Sequence, residues 1–399
     1  MRLVIAKKLR FPHAAANHIQ AVNMASAFAA CGVETEIYPA MRRGTGQTLA
    51  EHLSDDYAVD LPPALRLRTI PFRGPTLYDA FFHARLASAL RIPNAVFLAR
   101  EPKPAAALLR MASIFGKKIR LFLELHDITH DELLCHVLQH PCGIVCVHSE
   151  ILHTVRKKFG YNGPAFVAPA GYNPNVFHSA STDINRRQHF TIGYFGSITP
   201  AKGVGHLLDM MLHLPETFRL ALIGGVTWPD MNDFRRRVEC VPLWQERIIL
   251  TGRVAPSHVG ETLAGVDASI VPASSDASFY SQIKITESLG CGLPIILPPV
   301  RSTTEALIPG THCVVSAGLS GQHLAAAVLE LATGPDAPAR LAAMREANAA
   351  LAPDFTWQAR ARGILDFMHD TMRTPAHICP ARTFHCAGPS PAQPPQAKQ

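Results

Sequence analysis

The chain has 399 residues, of which 48% are hydrophobic and 17% are charged, and its formal net charge is +7. These proportions exclude an intrinsically disordered chain, and the length predicts two domains rather than a single hydrophobic core. No uninterrupted apolar run reaches the roughly 18 residues of a membrane span, and the first apolar run is too short for a secretion signal. A cytoplasmic protein is therefore expected.

Short apolar runs alternate with helical patterns along the first half of the chain. The predicted strands are RLVIAKKL, VETEIYP, LRLRTIP, AVFLAR, IRLFLELHD, GIVCVHS and AFVAPAG. The predicted helices between them are HIQAVNMASAFAACG, YDAFFHARLASAL, AAALLRMASIFG and EILHTVRKKFG. Continuous apolar strands that alternate with helices predict an α/β domain whose parallel sheet is covered on both faces.

The second half repeats this scheme. Its predicted strands are FTIGYFGSI, FRLALIGGV, RIILTGRV, ASIVPA, LPIILPPV and HCVVSAG, and its helices include VGHLLDMMLHL, SHVGETLAGV, SQIKITESLG and GQHLAAAVLELAT. Two doubly wound, Rossmann-like domains are therefore expected to face each other across a cleft.

Changes in composition indicate where these domains begin and end. Hydrophobic periodicity lapses in the polar stretch 178–189, which predicts the linker. We place the first domain at residues 1–182 and the second at 183–354. A helix follows at 355–373, and the Pro-rich tail 374–399 is predicted to be disordered.

Nine cysteines are scattered without a Cys-x-x-Cys pair, which favours reduced thiols over a disulfide framework. The densest group of potential metal ligands contains Cys135, His136, His140, Cys142, Cys146 and His148. Their spacing matches no zinc template, and GIVCVHS is typical of a buried strand. No metal site is therefore predicted.

Positive charge is concentrated in residues 85–120, which hold eight Lys or Arg and the single acid Glu101. Within this range PAAALLRMASIFGKK is a predicted helix with apolar residues on one side and cations near its end. Such a helix could contact an anionic membrane surface, or its cations could simply complement the helix dipole in solvent. Nucleic-acid binding is not expected, because interleaved aromatic residues and recognition motifs are absent.

Ligands of doubly wound domains bind beyond the carboxyl ends of the strands. In the first domain the relevant loop is LRFPHAAANHIQ, which lacks the glycine fingerprint of dinucleotide-binding proteins. In the second domain it is FGSITPAKG, with Gly196 and Gly203 around Lys202. Glycines, a helix start and a lysine suit a diphosphate, although the same residues could form an ordinary turn.

Lys284 and Glu287 are spaced to lie on one face of a helix that starts at the cleft, from about Gln282. The lysine could hold a diphosphate, and the carboxylate could accept two hydrogen bonds from a ribose. The alternative is a solvent-exposed salt bridge worth about 0.2–0.5 kcal/mol. Taken alone, the spacing favours the salt bridge.

The segments IGYFGSITPAKGVGHLLDMM, RLALIGG, IILTGRVAPSHV, VDASIVPA and IKITESLGCGLPIILP resemble the group-1 (family-4) retaining glycosyltransferases, which have the GT-B fold. The resemblance extends to VHSEILHTVRKKFG and VAPAGYNPNVF, and FTWQARARGILDFM is similar to the closing helix that packs back on the N-terminal domain. It covers most of the chain and is most specific over residues 192–297.

The resemblance implies roles for particular residues. Glu287 is similar to the glutamate that binds the ribose, and Lys202 to the lysine that meets the donor diphosphate. Lys284 matches the lysine of the Pro-x-Lys-x-x-Glu variant of the family. His126, in LFLELHD, is similar to a histidine beside the donor sugar; without the resemblance, a buried histidine with a purely structural role would be expected.

Two departures from the family pattern concern the same site. Many members have Gly-Arg where this chain has Gly196 and Ser197, so one cation is lost, and Phe279 stands where the first of two paired acids would lie. Lys284 is a candidate to compensate for the missing acid, and Arg253, in ILTGRV, is a candidate replacement for the missing cation.

The expected reaction is transfer of a sugar from a nucleoside diphosphate donor to a hydroxyl acceptor with retention of configuration, without a metal or further cofactor. The expected partners are a nucleotide sugar and a glycan or lipid-linked acceptor, the latter bound near the loop with His13 and His18. Alternatives are a noncatalytic nucleotide-sugar-binding protein and a nucleotide-sugar epimerase or phosphorylase of the same fold.

Overall fold

The computed structural model describes residues 1–12, 16–42, 47–72, 74–179, 188–275, 283–300, 305 and 307–373. The predictions made for His13, Gln282, Phe279, the domain boundary at 182 and the tail 374–399 fall outside the described residues. No helix in these ranges is both long enough and apolar enough to cross a membrane.

The strands lie close to the predicted apolar runs, and several runs divide into two. They are β1 (Arg2–Ala6), β2 (Leu9–Phe11), β3 (Glu34–Ile37), β4 (Pro39–Met41), β5 (Leu65–Leu67), β6 (Ile70–Pro71), β7 (Ala95–Ala99), β8 (Arg120–Leu125), β9 (Gly143–Cys146), β10 (Ala165–Val167), β11 (Phe190–Phe195), β12 (Phe218–Ile223), β13 (Ile248–Gly252), β14 (Ala268–Ile270), β15 (Ile295–Leu297) and β16 (Cys313–Val315).

Helices separate most of the strands of the two large sheets. They are α1 (Ala16–Ala30), α2 (Leu49–Tyr57), α3 (Pro75–Ala89), α4 (Pro102–Ile114), α5 (Asp131–Val137), α6 (Ser149–Phe159), α7 (Val204–Met211), α8 (Met231–Glu239), α9 (Trp244–Arg247), α10 (Val259–Leu263), α11 (Ile283–Gly290), α12 (Gly321–Ala332), α13 (Ala337–Leu351) and α14 (Trp357–Arg373). Short 3₁₀ helices cover Pro200–Lys202, Pro256–His258 and Ala352–Phe355.

The first sheet has seven parallel strands in the order β10-β9-β8-β7-β1-β3-β5. Strand β1 lies between β3 and β7, so the direction of winding reverses there and leaves a crevice at the carboxyl ends of β1 and β7. Strands β2, β4 and β6 form a separate parallel sheet of three strands, each following a strand of the large sheet after a few residues.

The second sheet has six parallel strands in the order β13-β12-β11-β14-β15-β16. Its reversal lies between β11 and β14, and β11 pairs with β12 from Phe190 opposite Phe218 to Phe195 opposite Ile223. The fold class predicted from the sequence, two doubly wound α/β units, is therefore confirmed. The carboxyl ends of β11 and β14 form the crevice in which a ligand is expected.

Alternate residues of the strands supply apolar clusters on both faces of each sheet, because successive side chains point to opposite faces. In the first sheet, Val4 and Phe97 join the cluster on one face, whereas Leu3 and Val96 join the cluster on the other. In the second sheet, residues such as Leu222 and Ile223 are divided in the same way. Both faces of each sheet therefore carry an apolar cluster, as continuous apolar strands require, although Ile249 and Leu250 of the edge strand β13 remain exposed.

Helix α14 belongs to the core of the first sheet although it follows the last strand of the second. Its residues Trp357, Ile364 and Met368 are buried in the same cluster as Leu3 and Leu98 of the first sheet. The segment before it touches the first half as well, because the Tyr172 amide donates to the carbonyl of Phe355 over 3.0 Å. The end of the chain therefore ties the two sheets together.

The carboxyl edges of the two sheets meet directly at one described point. The Ser149 amide, in the first turn of α6 after β9, donates to both carboxylate oxygens of Glu305, at 3.1 and 2.9 Å. Glu305 follows β15 of the second sheet. An acidic side chain at a helix N-terminus is favourable, so this contact helps to hold the two edges face to face.

Gly260 marks a close approach between α10 and the segment after the first sheet. A Cβ atom on Gly260 would lie 1.7 Å from the Val176 carbonyl oxygen, whereas one on Gly265 would have no neighbour closer than 3.7 Å. We expect Gly260→Ala to lower the free energy of unfolding by about 1–3 kcal/mol through overpacking. Gly265→Ala, the matched control, should change it by less than about 0.5 kcal/mol.

Chemical denaturation of the three proteins measures this difference. Equal unfolding free energies for Gly260→Ala and Gly265→Ala would contradict the described contact between α10 and Val176.

Candidate functional site

The loops after β11 and β12 are bonded to each other at the reversal point of the second sheet. The Gly196 amide donates to the Ile223 carbonyl at 2.9 Å, and the Ile198 amide donates to the Gly225 carbonyl at 3.0 Å. The Tyr194 hydroxyl donates to the Ser197 carbonyl at 2.8 Å, which fixes the turn. The predicted ligand loop is therefore a rigid part of the sheet edge.

Glycine is required where these loops meet. Gly224 has a φ of +147°, and a Cβ atom there would lie 2.0 Å from the Gly196 carbonyl oxygen. A Cβ on Gly225 would lie 3.0 Å from Cγ of Arg253. Sequence reasoning missed both glycines as site residues, although the Gly-Gly pair directly after an apolar strand was a usable signal.

Lys284 and Glu287 lie on α11 beside this loop. The Lys284 Nζ is 2.9 Å from Glu287 Oε2 and 4.4 Å from the centre of the Phe195 ring. A Cβ on Gly196 would lie 3.4 Å from Lys284 Cε, so the structure brings Gly196, Lys284 and Glu287 together. Phe195 adds a cation-π contact that was not foreseen, since β11 and α11 are remote in sequence.

The Lys284–Glu287 ion pair is partly buried, so it is not the solvent-exposed salt bridge that was the alternative interpretation. The Glu287 side chain is only 13% exposed and that of Lys284 is 32% exposed. Burial raises the pKa of Glu287, and Lys284 opposes the shift without cancelling it. The carboxylate is thus held in an environment where partners that donate hydrogen bonds to it would be strongly favoured.

The remaining predicted residues of the second sheet lie around the same crevice. Lys202 is exposed at the end of the 3₁₀ helix Pro200–Lys202 that leads into α7. A Cβ on Gly203 would lie 2.7 Å from the Ala273 carbonyl carbon, and the Ser274 hydroxyl donates to the Ala201 carbonyl over 3.0 Å. The loops after β11 and β14 therefore touch, as expected on the two sides of a reversal point.

His126 lies on the first sheet, directly after β8, and its side chain is 30% exposed. Its Nε2 atom is 2.7 Å from Arg100 Nη2 and 3.0 Å from Glu124 Oε1. Burial and the Arg100 guanidinium lower the pKa of His126, and Glu124 opposes this effect. The imidazole is accordingly neutral near neutral pH.

Glu124 is fully buried and contacts two arginines. Arg100 Nε lies 3.0 Å from one carboxylate oxygen, and Arg360 Nη2 of α14 lies 2.8 Å from the other. Burial opposes ionisation of Glu124, but Arg100 and Arg360 hold its pKa well below the usual range. Neither arginine was singled out as a site residue, because partners 24 and 236 residues away leave no local pattern.

Two other sequence features have a plain structural explanation. Strand β9, with Cys146, is buried, and burial raises the pKa of this thiol to about 12. Within the described ranges no group of three or more His, Cys, Asp or Glu could hold a metal ion.

Seven of the eight cations in residues 85–120 are exposed, but Arg100 is buried against Glu124 and is not part of any surface charge.

Comparisons with known proteins agree with this geometry. Residues 189–334 match the sequence profile of the family described as Glycosyl transferases group 1. Residues 189–334 are thus similar to group 1 glycosyltransferases, and the chain as a whole has the GT-B fold of the solved structures. The match covers the glycine-rich loops, Lys202, Lys284 and Glu287. No curated protein matches the chain.

Three solved structures illustrate the similarity of the GT-B fold. HepE of Anabaena, crystallised with UDP, has a TM-score of 0.71 at 14% identity and covers 93% of this chain and 100% of its own. Sucrose-phosphate synthase of Thermosynechococcus elongatus has a TM-score of 0.71 at 16% identity, covering 93% and 99%. WaaG, a glycosyltransferase of lipopolysaccharide biosynthesis, has a TM-score of 0.62 at 16% identity, covering 92% and 99%.

The environment of Glu287 predicts how stability depends on pH. Its carboxyl group has a raised pKa in the folded protein, so it ionises more readily in the unfolded chain. Its contribution to stability is therefore present below the usual value of 4.5 and is lost as the pH rises through the folded pKa. We expect the free energy of unfolding of the wild type to fall, relative to Glu287→Gln, as the pH rises above about 4.5.

Denaturation of both proteins across this pH range measures the effect. Lys284→Met removes the cation that opposes the shift, so the same loss should be larger in that variant. A constant difference between wild type and Glu287→Gln at all pH values would show that Glu287 is not desolvated.

Proposed function

We propose that this glycosyltransferase transfers a sugar from a nucleoside diphosphate donor to a hydroxyl acceptor, with retention of anomeric configuration and without a metal ion. The observation that carries the proposal is the half-buried Lys284–Glu287 pair beside Gly196, at the reversal point of the sheet. A cation and a hydrogen-bond acceptor at that place match the diphosphate and the ribose of such a donor.

Each end of the pair has a proposed partner. The Glu287 carboxylate accepts hydrogen bonds from the two ribose hydroxyls, which would compensate for its desolvation. Lys284 and Lys202 stabilise the negative charge that develops on the leaving diphosphate. His126 lies across the cleft on the first sheet and is proposed to face the donor sugar.

Arg253 supports an active site rather than a degenerate one. Ser197 lacks the cation that many relatives have at this position, but Arg253 lies against Gly225, whose carbonyl accepts from the Ile198 amide. A guanidinium next to the Ser197 turn can supply the missing charge. The noncatalytic alternative would bind the donor but neither transfer nor hydrolyse it.

Metal independence is proposed from the groups that are present. Lysines and amides at the crevice can neutralise a diphosphate, and the described residues contain no carboxylate cluster suited to a divalent ion. The proposed retention of configuration follows from the family resemblance, and analysis of the anomeric product tests it. An epimerase would instead alter the donor sugar when no acceptor is present.

Calorimetry with UDP, GDP and ADP, without added metal, tests the donor site. UDP is tested first because HepE was crystallised with UDP and with UDP-glucose. Glu287→Ala removes a charged hydrogen bond to the ribose and should weaken binding by roughly 1.5–3 kcal/mol, a factor of roughly 10 to 150.

Glu261→Ala, an exposed glutamate on α10, is the matched control and should leave the affinity unchanged. Wild-type affinity in Glu287→Ala would refute the proposed role of this carboxylate. Absence of binding by all three nucleotides to the wild type would contradict the proposed donor site itself.

A peripheral contact with anionic membrane is proposed for the end of α4. Ile114 and Phe115 are 70% and 53% exposed, and the exposed Lys117 and Lys118 follow them directly. Apolar side chains next to lysines suit the interface of an anionic bilayer, and each lysine near the surface contributes about 1 kcal/mol.

Sedimentation with liposomes, with and without anionic lipid, tests this contact. The double variant Lys117→Glu/Lys118→Glu should lose sedimentation with anionic liposomes, because two attractive charges become repulsive. Arg235→Glu/Arg236→Glu on α8 makes the same change in net charge on another exposed surface and should retain it. Equal behaviour of both variants would exclude a specific surface at α4.

A further inference from the structure

A charged cluster of Arg100, Glu124 and Arg360 lies next to His126. It has no role in the sugar transfer proposed above. Arg100 follows β7, Glu124 lies on β8, and Arg360 lies on α14, so three separate elements contribute to it. The Glu124 side chain is fully buried, and the two arginine side chains are each 3% exposed. Such a cluster carries a large desolvation cost, and replacing similar clusters by apolar residues is often neutral or stabilising.

Arg360 is fixed by more than its ion pair. Its Nε atom donates to the Pro169 carbonyl over 2.8 Å, and its Nη2 atom donates to the Ala168 carbonyl over 3.2 Å and to Glu124 Oε1 over 2.8 Å. These carbonyls follow β10 at the edge of the first sheet. A planar guanidinium held at three points leaves little freedom to the carboxylate that it contacts.

Arg100 determines which nitrogen of His126 can carry a proton. A guanidinium can only donate hydrogen bonds, and Arg100 Nη2 lies 2.7 Å from His126 Nε2. The competing acceptor, Glu124 Oε1, is farther away at 3.0 Å and already accepts from Arg360. The shorter contact therefore assigns the lone pair to Nε2 and the proton to Nδ1.

We propose that Arg100, Glu124 and Arg360 are positioning residues that hold His126 as a neutral imidazole with its proton on Nδ1. Glu124 orients Arg100, and Arg360 of the last helix holds Glu124 in place. The use of the Nδ1 proton toward the donor sugar rests on the proposed function, whereas the tautomer itself does not. Through Arg360, helix α14 thus influences the proposed contact between His126 and the donor sugar.

Nitrogen NMR of the full chain, labelled with ¹⁵N histidine, tests the tautomer without any substrate. His126→Gln identifies the ring signals of this residue by their loss. The wild type should show a protonated Nδ1 and an unprotonated Nε2 at pH 7. A protonated Nε2 would mean that the imidazole donates to Glu124, and it would overturn the proposal.

The role of Arg360 is tested with Arg360→Lys, which keeps the charge but loses the planar fork. Arg340→Lys on α13 is the matched control, because Arg340 also donates to backbone carbonyls, those of Leu331 and Thr333. Arg360→Lys should move the His126 signals toward a mixture of tautomers, and Arg340→Lys should not. If both variants lower the melting temperature and neither moves these signals, Arg360 is merely structural.

Turnover measurements distinguish a failure of the tautomer proposal from a failure of the proposed function. With UDP-glucose hydrolysis as the probe, Arg360→Lys should lose roughly 10- to 100-fold in the wild-type background. It should lose nothing further in the His126→Gln background, because Arg360 acts through the imidazole. An equal loss in both backgrounds would contradict the proposal, and if UDP-glucose is not turned over, the tautomer measurement still decides it.

Discussion

The buried carboxylate of Glu124 is the constraint on which the relation between the two halves depends. It lies in the first sheet, yet one of its two cations comes from the last described helix, 236 residues further along the chain. Removing one partner from a buried ion cluster typically costs about 3–5 kcal/mol, because the remaining charge has no compensation. If α14 left the first sheet, Glu124 would keep Arg100 but lose the 2.8 Å contact from Arg360, so the position of the helix is coupled to this buried cluster.

The same cluster explains why α14 takes one position rather than many. Apolar residues such as Ile364 and Met368 bury surface against the first sheet, but apolar packing alone tolerates small shifts. Hydrogen bonds from Arg360 to two backbone carbonyls and one carboxylate fix the angle and depth of the helix. Because the segment before α14 comes from the second sheet, the geometry of the cleft is fixed as well.

Local patterns in the sequence were sufficient for the fold class but not for every element. Apolar runs such as FTIGYFGSI predicted the strands of both large sheets, since a parallel strand buried on both faces needs a continuous run. Helix α2 was missed because it is short and polar, although Thr48 and Glu51 form a capping box that the sequence displays. The three-residue strands β2 and β4 carry too few residues for any periodicity.

One part of the candidate site could be predicted from local sequence patterns, and the other part depends on residues that are distant in the sequence. The spacing of Lys284 and Glu287 placed both on one face of a helix, and the structure joins them at 2.9 Å. Their burial could not be predicted, because the Phe195 ring and the Gly196 turn that cover them come from a strand about 90 residues earlier. Arg100 and Arg360 depend on tertiary contacts alone.

The electrostatic environment of the Lys284–Glu287 pair is relevant to ligand binding as well as to stability. Burial disfavours the ionised Glu287, and Lys284 compensates only in part. A nucleoside diphosphate would bring hydroxyl donors to Glu287 and negative charge to Lys284 at the same time. Both ends of the pair would then gain partners without being separated into a bare buried charge. A nucleoside without phosphate lacks the second interaction, so under the proposed function ligands that carry ribose and diphosphate together would bind more tightly.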